Sequence, residues 1–446
     1  MFFNIRAANK QAPQSGLAPS CLLLLGTLLL SPQLIAQDNS STDELTLSAA
    51  IKRTLQQNPA LQVFKFRQAA LAGQQQTQNL TPGYELGFEI ENFAGTGDLG
   101  ALDSSEFTVS ISSIIEIGDK RAARVGVVQN RSLLLAAERK IQALTLLAQV
   151  TRRYIDVLAA QERVALAKEA SQLAEDTLAE VEKRAKAGNS PKAEVKRAMA
   201  ALGNTRLTLS AEQQRFEYSK VALTLLWNET TPTFAQVDGN LFHFSEDVAF
   251  TTLFAKAKQN PAVLAFATEQ RLKDAELRLA RSNSATDIQW SVGIKQMQEV
   301  DDTALTASFS VPLFAQKNNT GAIITAQAAR DEVVARKAAS LVKLHRQLYR
   351  AFANRKQAIF TVNSLKDSII PTLTDALAET QLAYQQGLYS YLDYLTVRQE
   401  LLFARRAMID SAAAALQFGT DIEELIAEPL PASQHSSNTT FPGIAP

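Results

Sequence analysis

Cysteine is nearly absent from this 446-residue chain; the only one is Cys21, inside an N-terminal apolar stretch. Histidine is almost as scarce: His243, His345 and His435 are the only three, and they lie far apart. A zinc site or a nucleophilic triad therefore has little to draw on. No Walker motif, H-E-x-x-H or G-x-S-x-G occurs, so neither enzymatic activity nor a cofactor nor a tight metal site is expected. Net charge is missing too. The 45 basic side chains balance 45 acidic ones, which excludes the basic footprint of a nucleic-acid binder. Beyond residue 36 no apolar run reaches the roughly 18 residues that a spanning helix needs. If the chain crosses a membrane, it does so as a β-barrel.

The first 36 residues have the layout of a secretory signal. Arg6 and Lys10 precede the apolar run Cys21 to Leu30, and a cleavage point follows at Ala36, with Leu34 an imperfect residue before it. Removing this segment takes away two of the basic side chains and none of the acidic ones. Cys21 opens the apolar run instead of following it, so it is a poor site for lipid attachment. The mature chain is then expected to hold no thiol and no disulfide, leaving packing and oligomerisation to stabilise it.

What is present in quantity is repetition. Residues 45–230 resemble residues 249–428, which predicts a first structural repeat over 37–240, a second over 241–430 and a flexible tail over 431–446. Each copy reads as helix, two strands, very long helix, tight turn, long helix. Asn58-Pro59 recurs as Asn260-Pro261; Asn suits a helix cap and Pro the first helical position. Strands are expected at about 84–93, 105–115, 287–297 and 304–313. In the first, Leu86, Phe88 and Ile90 alternate with Glu85, Gly87, Glu89 and Glu91; in the third, Ile288, Trp290, Val292 and Ile294 alternate with Gln289, Ser291, Gly293 and Lys295. Period two over about ten residues, apolar outward and polar inward, is the pattern of a transmembrane barrel.

Four strands cannot close a barrel, because about eight is the minimum. An open edge in lipid would leave backbone groups unsatisfied. Two copies would supply eight strands and three would supply twelve, and both remain open at this point. Between residue 119 and Gly188 runs a proline-free stretch that, as one helix, would be about 100 Å long. The stretch from about 320 to 386 matches it apart from Pro371. Two apolar seams, one through Ile141, Leu144 and Ala148 and one through Leu147, Val150 and Tyr154, predict a helix packed on two sides.

Gly95-Thr-Gly97-Asp-Leu-Gly100 fits G-x-G-x-x-G, but it joins two strands and opens no helix, so it is read as a loop. The turns between the long helices carry more. Four of the eight tyrosines, Tyr384, Tyr389, Tyr391 and Tyr394, crowd around Gly387, which can take a positive φ and end the helix. The matching turn in the first copy is Gly188-Asn-Ser-Pro191-Lys-Ala-Glu194. Polar contacts among Tyr384, Tyr389, Asp393, Glu194 and Lys192 are expected to narrow the end of a tube. The competing reading is that the tyrosines pack the hairpin crossing.

Both halves, with the G-x-x-x-Y-L-D-x-L turn, resemble the TolC family of outer-membrane channel-tunnels. The segment Glu89-Ile-Glu-Asn-Phe-Ala-Gly-Thr-Gly97, followed by Ile115-Glu-Ile-Gly-Asp-Lys-Arg121, is similar to the CzcC-like subgroup that serves heavy-metal efflux. Asp119 stands where that subgroup has a second glycine, and it is expected to cap the next helix. The resemblance implies a mainly α protein with a transmembrane β-barrel portion: a homotrimer with a twelve-stranded barrel in the outer membrane of a Gram-negative bacterium and an α-helical tunnel in the periplasm. It also implies a periplasmic membrane-fusion adaptor and an inner-membrane RND pump as partners. On the family's pattern Tyr384 and Asp393 match gate residues, whereas Tyr389 and Thr396 replace a gate arginine and a second gate acid.

One feature favours cation traffic independently. If Leu86, Phe88 and Ile90 face lipid, Glu85, Glu89 and Glu91 face the lumen, where rings of carboxylates favour cations. The leading expectation is the outer-membrane duct of a tripartite metal-efflux system. The alternatives are a duct for drugs or secreted polypeptides, and a soluble periplasmic coiled-coil scaffold.

Overall fold

A computed structural model describes residues 44–94, 96, 104–313, 317 and 319–431. The signal segment, Cys21, Gly95, Gly97, Gly100 and the tail after 431 fall outside the described residues. The chain starts with a short strand β1 (Glu44–Leu45), then α1 (Leu47–Gln57) and α2 (Pro59–Gln78). The hairpin β2 (Glu85–Glu91) and β3 (Glu106–Ile115) leads into α3 (Lys120–Lys186) and α4 (Lys192–Thr224), which ends in a 3-10 turn, Leu225–Trp227. After β4 (Gln236–Val237) the order recurs as α5 (Phe250–Ala257), α6 (Pro261–Ser282), β5 (Ile288–Met297), β6 (Asp302–Ser310) and α7 (Thr320–Ser364). A π turn, Leu365–Ile369, joins α7 to α8 (Ile370–Gln385), and α9 (Tyr391–Ile426) closes the series. No helix among the described residues is long and apolar enough to cross a membrane.

The repeated Asn-Pro pair does two jobs in each copy. The Asn58 carboxamide oxygen accepts from the Ala60 amide at 2.9 Å, and its Nδ2 donates to the Leu226 carbonyl at 2.7 Å. Asn260 accepts from Ala262 at 2.8 Å and donates to the carbonyls of Glu424 at 2.8 Å and Leu425 at 3.0 Å. One buried amide thus caps the start of its own helix and satisfies carbonyls at the end of the copy's last helix.

α3 has 67 residues, so it is about 100 Å long at 1.5 Å per residue. It packs on α1, α2, α4, α6 and α9, in keeping with its two apolar seams. One core gathers Val150, Tyr154 and Val157 of α3 with Leu223, Trp227, Leu241, Ile409 and Ala412. Tyr154 Oη donates to the carbonyls of Leu45 at 2.7 Å and Asp238 at 2.5 Å, clasping β1 to the segment between the two copies. The start of α3 departs from expectation. Asp119 lies in the left-handed region (φ 55°) and its side chain makes no capping bond. Together with Gly118 (φ 84°) it forms a left-handed corner; Asp suits it because short polar side chains tolerate that region best after glycine.

The second long helix runs without a gap from Thr320 to Gln385 but is not regular throughout. Pro371 lacks an N–H and would clash with the turn before it. The π turn at Leu365–Ile369 sits directly before it and α8 starts there, with Pro371 in its first turn.

The four long strands form one antiparallel sheet in the order β2-β3-β5-β6. The two hairpins are joined through β3 and β5, from Glu106 opposite Met297 to Ile115 opposite Ile288. β2 and β6 remain as unpaired edges.

Candidate functional site

The sheet has two chemically opposite faces. In register, Glu85, Gly87, Glu89 and Glu91 lie beside Ser112, Ser110, Thr108 and Glu106, and these beside Ser291, Gly293, Lys295 and Met297. The other face carries Leu86, Phe88 and Ile90 beside Ile111, Val109 and Phe107, then Val292, Ile294 and Gln296. Most of these apolar side chains are exposed. The polar face is the crowded one. A Cβ on Gly293 would stand 2.8 Å from the Val109 carbonyl oxygen and 2.9 Å from Ser110 Cβ, and one on Gly87 would stand 2.9 Å from Ser110 Oγ. Glycine at these positions lets the neighbouring strands approach closely on the polar face.

At the helical end of the apolar face Tyr84 meets Trp290 edge-on at 6.4 Å, and Phe309 lies opposite Trp290. Such an aromatic band suits a membrane–water boundary.

Glu85, Glu89 and Glu91 share the polar face. Glu106 and Asp302 also belong to it by register. Glu91 is not free: Lys295 Nζ lies 2.5 Å from one of its oxygens and also pairs with Glu106. Among the described residues Glu85 and Glu89 have no salt bridge. Lys295, a polar position of its strand by sequence, thus joins Glu91 and Glu106 across the polar face.

The far ends of the helical hairpins are built alike in both copies. Gly188 (φ 80°) and Gly387 (φ 79°) end their helices. Asn189 donates to the Arg184 carbonyl at 2.9 Å and Gly188 to Ala185 at 3.1 Å; Leu388 donates to Ala383 at 2.9 Å and Gly387 to Tyr384 at 3.0 Å. Both are Schellman closures. The next helices start differently. Pro191 occupies the cap position itself, and Ser190 turns its hydroxyl onto Glu194. Ser390 and Asp393 form a reciprocal capping box.

Tyr384 is buried among Tyr391, Tyr394, Val181 and Ala198. Its ring stacks on Tyr394 at 6.1 Å and carries the Arg184 guanidinium at 4.5 Å. Its hydroxyl donates to Glu194 at 3.4 Å, at the limit of a hydrogen bond. Burial, then the Glu194 charge, raises the Tyr384 pKa. Arg184 also donates to the Gln385 carbonyl at 2.8 Å. The expected cluster is therefore only partly assembled within one chain. Tyr384 meets Glu194, but Asp393 spends its carboxylate on Ser390, whose hydroxyl and amide hold its pKa below the usual range. Tyr389 and Lys192 are exposed, and among the described residues Lys192 has no salt bridge. Arg184 and Ser190 are the members that sequence reasoning missed; a basic residue four positions before the tip glycine was the available signal.

Above the tip, ion pairs tie α9 to the first hairpin. Arg405 meets Glu169 at 2.6 Å, Arg163 meets Asp410 at 2.6 Å, Arg406 meets the buried Glu212 at 2.8 Å and Arg152 meets Asp421 at 2.8 Å. Among the described residues no three His, Cys, Asp or Glu side chains converge as a metal site.

Two long helical hairpins continuous with an open amphipathic sheet define one segment of a channel-tunnel. Residues 50–229 match the family described as outer membrane efflux protein. Residues 317–417 also match one described as C-terminal novel E3 ligase, LRR-interacting; here that stretch is the second helical hairpin, and it contains no cysteine. The chain is 26% identical over 323 residues to the cobalt-zinc-cadmium resistance protein CzcC of Cupriavidus metallidurans, covering 72% of this chain and 76% of that one. Among solved structures it is similar to CusC (TM-score 0.70, 15% identity, 85% of this chain and 91% of that one). It is also similar to the outer membrane protein VceC of Vibrio cholerae (TM-score 0.67, 18% identity, 86% and 96%). Over residues 50–229 the chain thus carries the outer membrane efflux protein match, and its fold is shared with CusC and VceC.

Proposed function

We propose that this protein is the outer-membrane duct of a tripartite efflux system that exports heavy-metal cations. The observation that carries the reading is the open four-stranded sheet, polar on one face and apolar on the other, at one end of two long helical hairpins. Alone, it would leave two unpaired strand edges in lipid; three copies close a twelve-stranded barrel. The crowded polar face then lines the lumen, and the helical hairpins form the periplasmic tunnel. The hairpin ends close that tunnel and offer themselves to an adaptor and, through it, to an RND-type pump. The relationship to CzcC supports cobalt, zinc and cadmium as the cargo class. The duct itself needs no tight metal site, since conduction requires weak contacts.

Deleting the gene and measuring growth on cobalt, zinc and cadmium salts and on dyes tests this. Sensitivity to the metals is expected. Sensitivity to dyes alone would move the cargo to drugs, and a protein that stays soluble without detergent and conducts nothing in bilayers would remove the duct.

A further inference from the structure

Lys295 is the only basic side chain in the four long strands, whereas all five of their carboxylates, Glu85, Glu89, Glu91, Glu106 and Asp302, lie on the same polar face as it does. Its own cross-strand neighbour is Thr108, yet its ammonium group reaches past that row to the next. It meets Glu106 on β3 and, 2.5 Å away, Glu91 on β2. One side chain therefore spans three strands. The row it reaches, Glu91 beside Glu106, Met297 and Asp302, is the last before the hairpin turns and the farthest from the helices. In the duct this is the outer mouth.

We infer that Lys295 tunes the ion selectivity of the outer mouth, offsetting part of the negative charge of its carboxylate ring while Glu85 and Glu89 below it stay open to passing cations. The inference rests on the duct reading. In this row each chain sets Lys295 against three carboxylates, Glu91, Glu106 and Asp302, so the mouth keeps a net negative charge that the lysine reduces. Charges at a narrow water-filled opening act on permeating ions at a few ångströms, inside the Debye length of about 10 Å at 0.1 M salt. Without the lysine the row would hold three unpaired carboxylates per chain and bind cations strongly; without the two glutamates Lys295 would offset Asp302 and weaken that hold. The bridged arrangement lets cations leave.

The test is reversal potential across planar bilayers in a KCl gradient, with the full-length trimer in wild-type, K295M, K295R and E91Q/E106Q forms. K295M removes three positive charges from the ring and is expected to raise the cation-over-anion permeability ratio roughly three- to tenfold. E91Q/E106Q leaves the lysine unpaired and should shift the ratio the other way, while K295R should match wild type. A K295M pore that conducts with the wild-type reversal potential would overturn the inference, and so would an unshifted E91Q/E106Q pore if K295M does not assemble. A wild-type protein that forms no pore would instead overturn the duct reading on which it stands.

Discussion

Removing the Arg184 side chain should open the tunnel end more than removing the Tyr384 hydroxyl. Family resemblance points to the tyrosine, but the geometry ranks the contacts differently. The Tyr384 hydroxyl lies 3.4 Å from Glu194, so Tyr384→Phe forfeits about 0.5 kcal/mol per chain and keeps the buried ring. Arg184 gives a 2.8 Å bond to the Gln385 carbonyl and lies 4.5 Å over the Tyr384 ring. A charge-assisted bond at a half-exposed site contributes about 1 kcal/mol and the stack about as much again. Arg184→Ala therefore loses about 2 kcal/mol of tip packing per chain against about 0.5 for Tyr384→Phe; for contacts made only in the closed form, that is roughly a thirtyfold shift toward opening against about twofold. Open probability in planar bilayers, measured on both variants and on Arg184→Lys, reads this directly. Arg184→Lys keeps a charge near the ring but loses the planar stack, so it should fall between the two. Equal open probability for Arg184→Ala and wild type, with an open Tyr384→Phe pore, would refute the ranking.

Three further outcomes are expected. Gly293→Val should block barrel formation, because its Cβ would meet backbone and side chains under 3.0 Å away on both neighbouring strands; loss of the heat-modifiable trimer band on gels checks it. Asn260→Ala should cost about 2 kcal/mol by removing a helix cap and leaving carbonyls of Glu424 and Leu425 short of a donor, read as a lower melting temperature of the detergent-solubilised trimer. The start of α9 should loosen in acid. The Asp393 carboxylate has a folded pKa below its ordinary value, so its contribution is complete above about pH 4 and disappears as pH falls through the lowered native value. Amide exchange over residues 391–394 should rise there in wild type and show no such step in Asp393→Asn.

The strands were legible because period two is a local signal: Leu86, Phe88 and Ile90 announce a face whatever lies beside them. The turn glycines were legible for the same reason, since a positive φ at Gly188 and Gly387 is a property of a few consecutive residues. The Asn-Pro pairs showed their caps but not their second role. Asn58 reaches a carbonyl 168 residues away, and nothing local in the chain predicts that. Lys295 was visible only as an inward position; that it neutralises Glu91, 204 residues earlier, depends on how β2, β3 and β5 lie in register. Asp119 was misread because a cap and a left-handed corner favour the same residue type. Pro371 was noticed as an interruption, but the π turn that accommodates it is set by backbone bonding. At the tip, Asp393 looked like a free acid because sequence alone did not weigh its capping partner, Ser390, three residues before it.

The paired duties of Asn58 and Asn260 bear on how such a chain can arise. Each amide fastens the beginning of one copy to the end of that same copy, so each half is a self-buckled module and neither borrows the other's fastening. A half-length chain with one buckle, one strand pair and one helical hairpin would reach the same twelve strands as six subunits in place of three. Fusion of two modules halves the number of parts to assemble and removes the demand that all be alike. The glutamate-rich strand could then specialise in one module and the tyrosine-lined, serine-capped tip in the other.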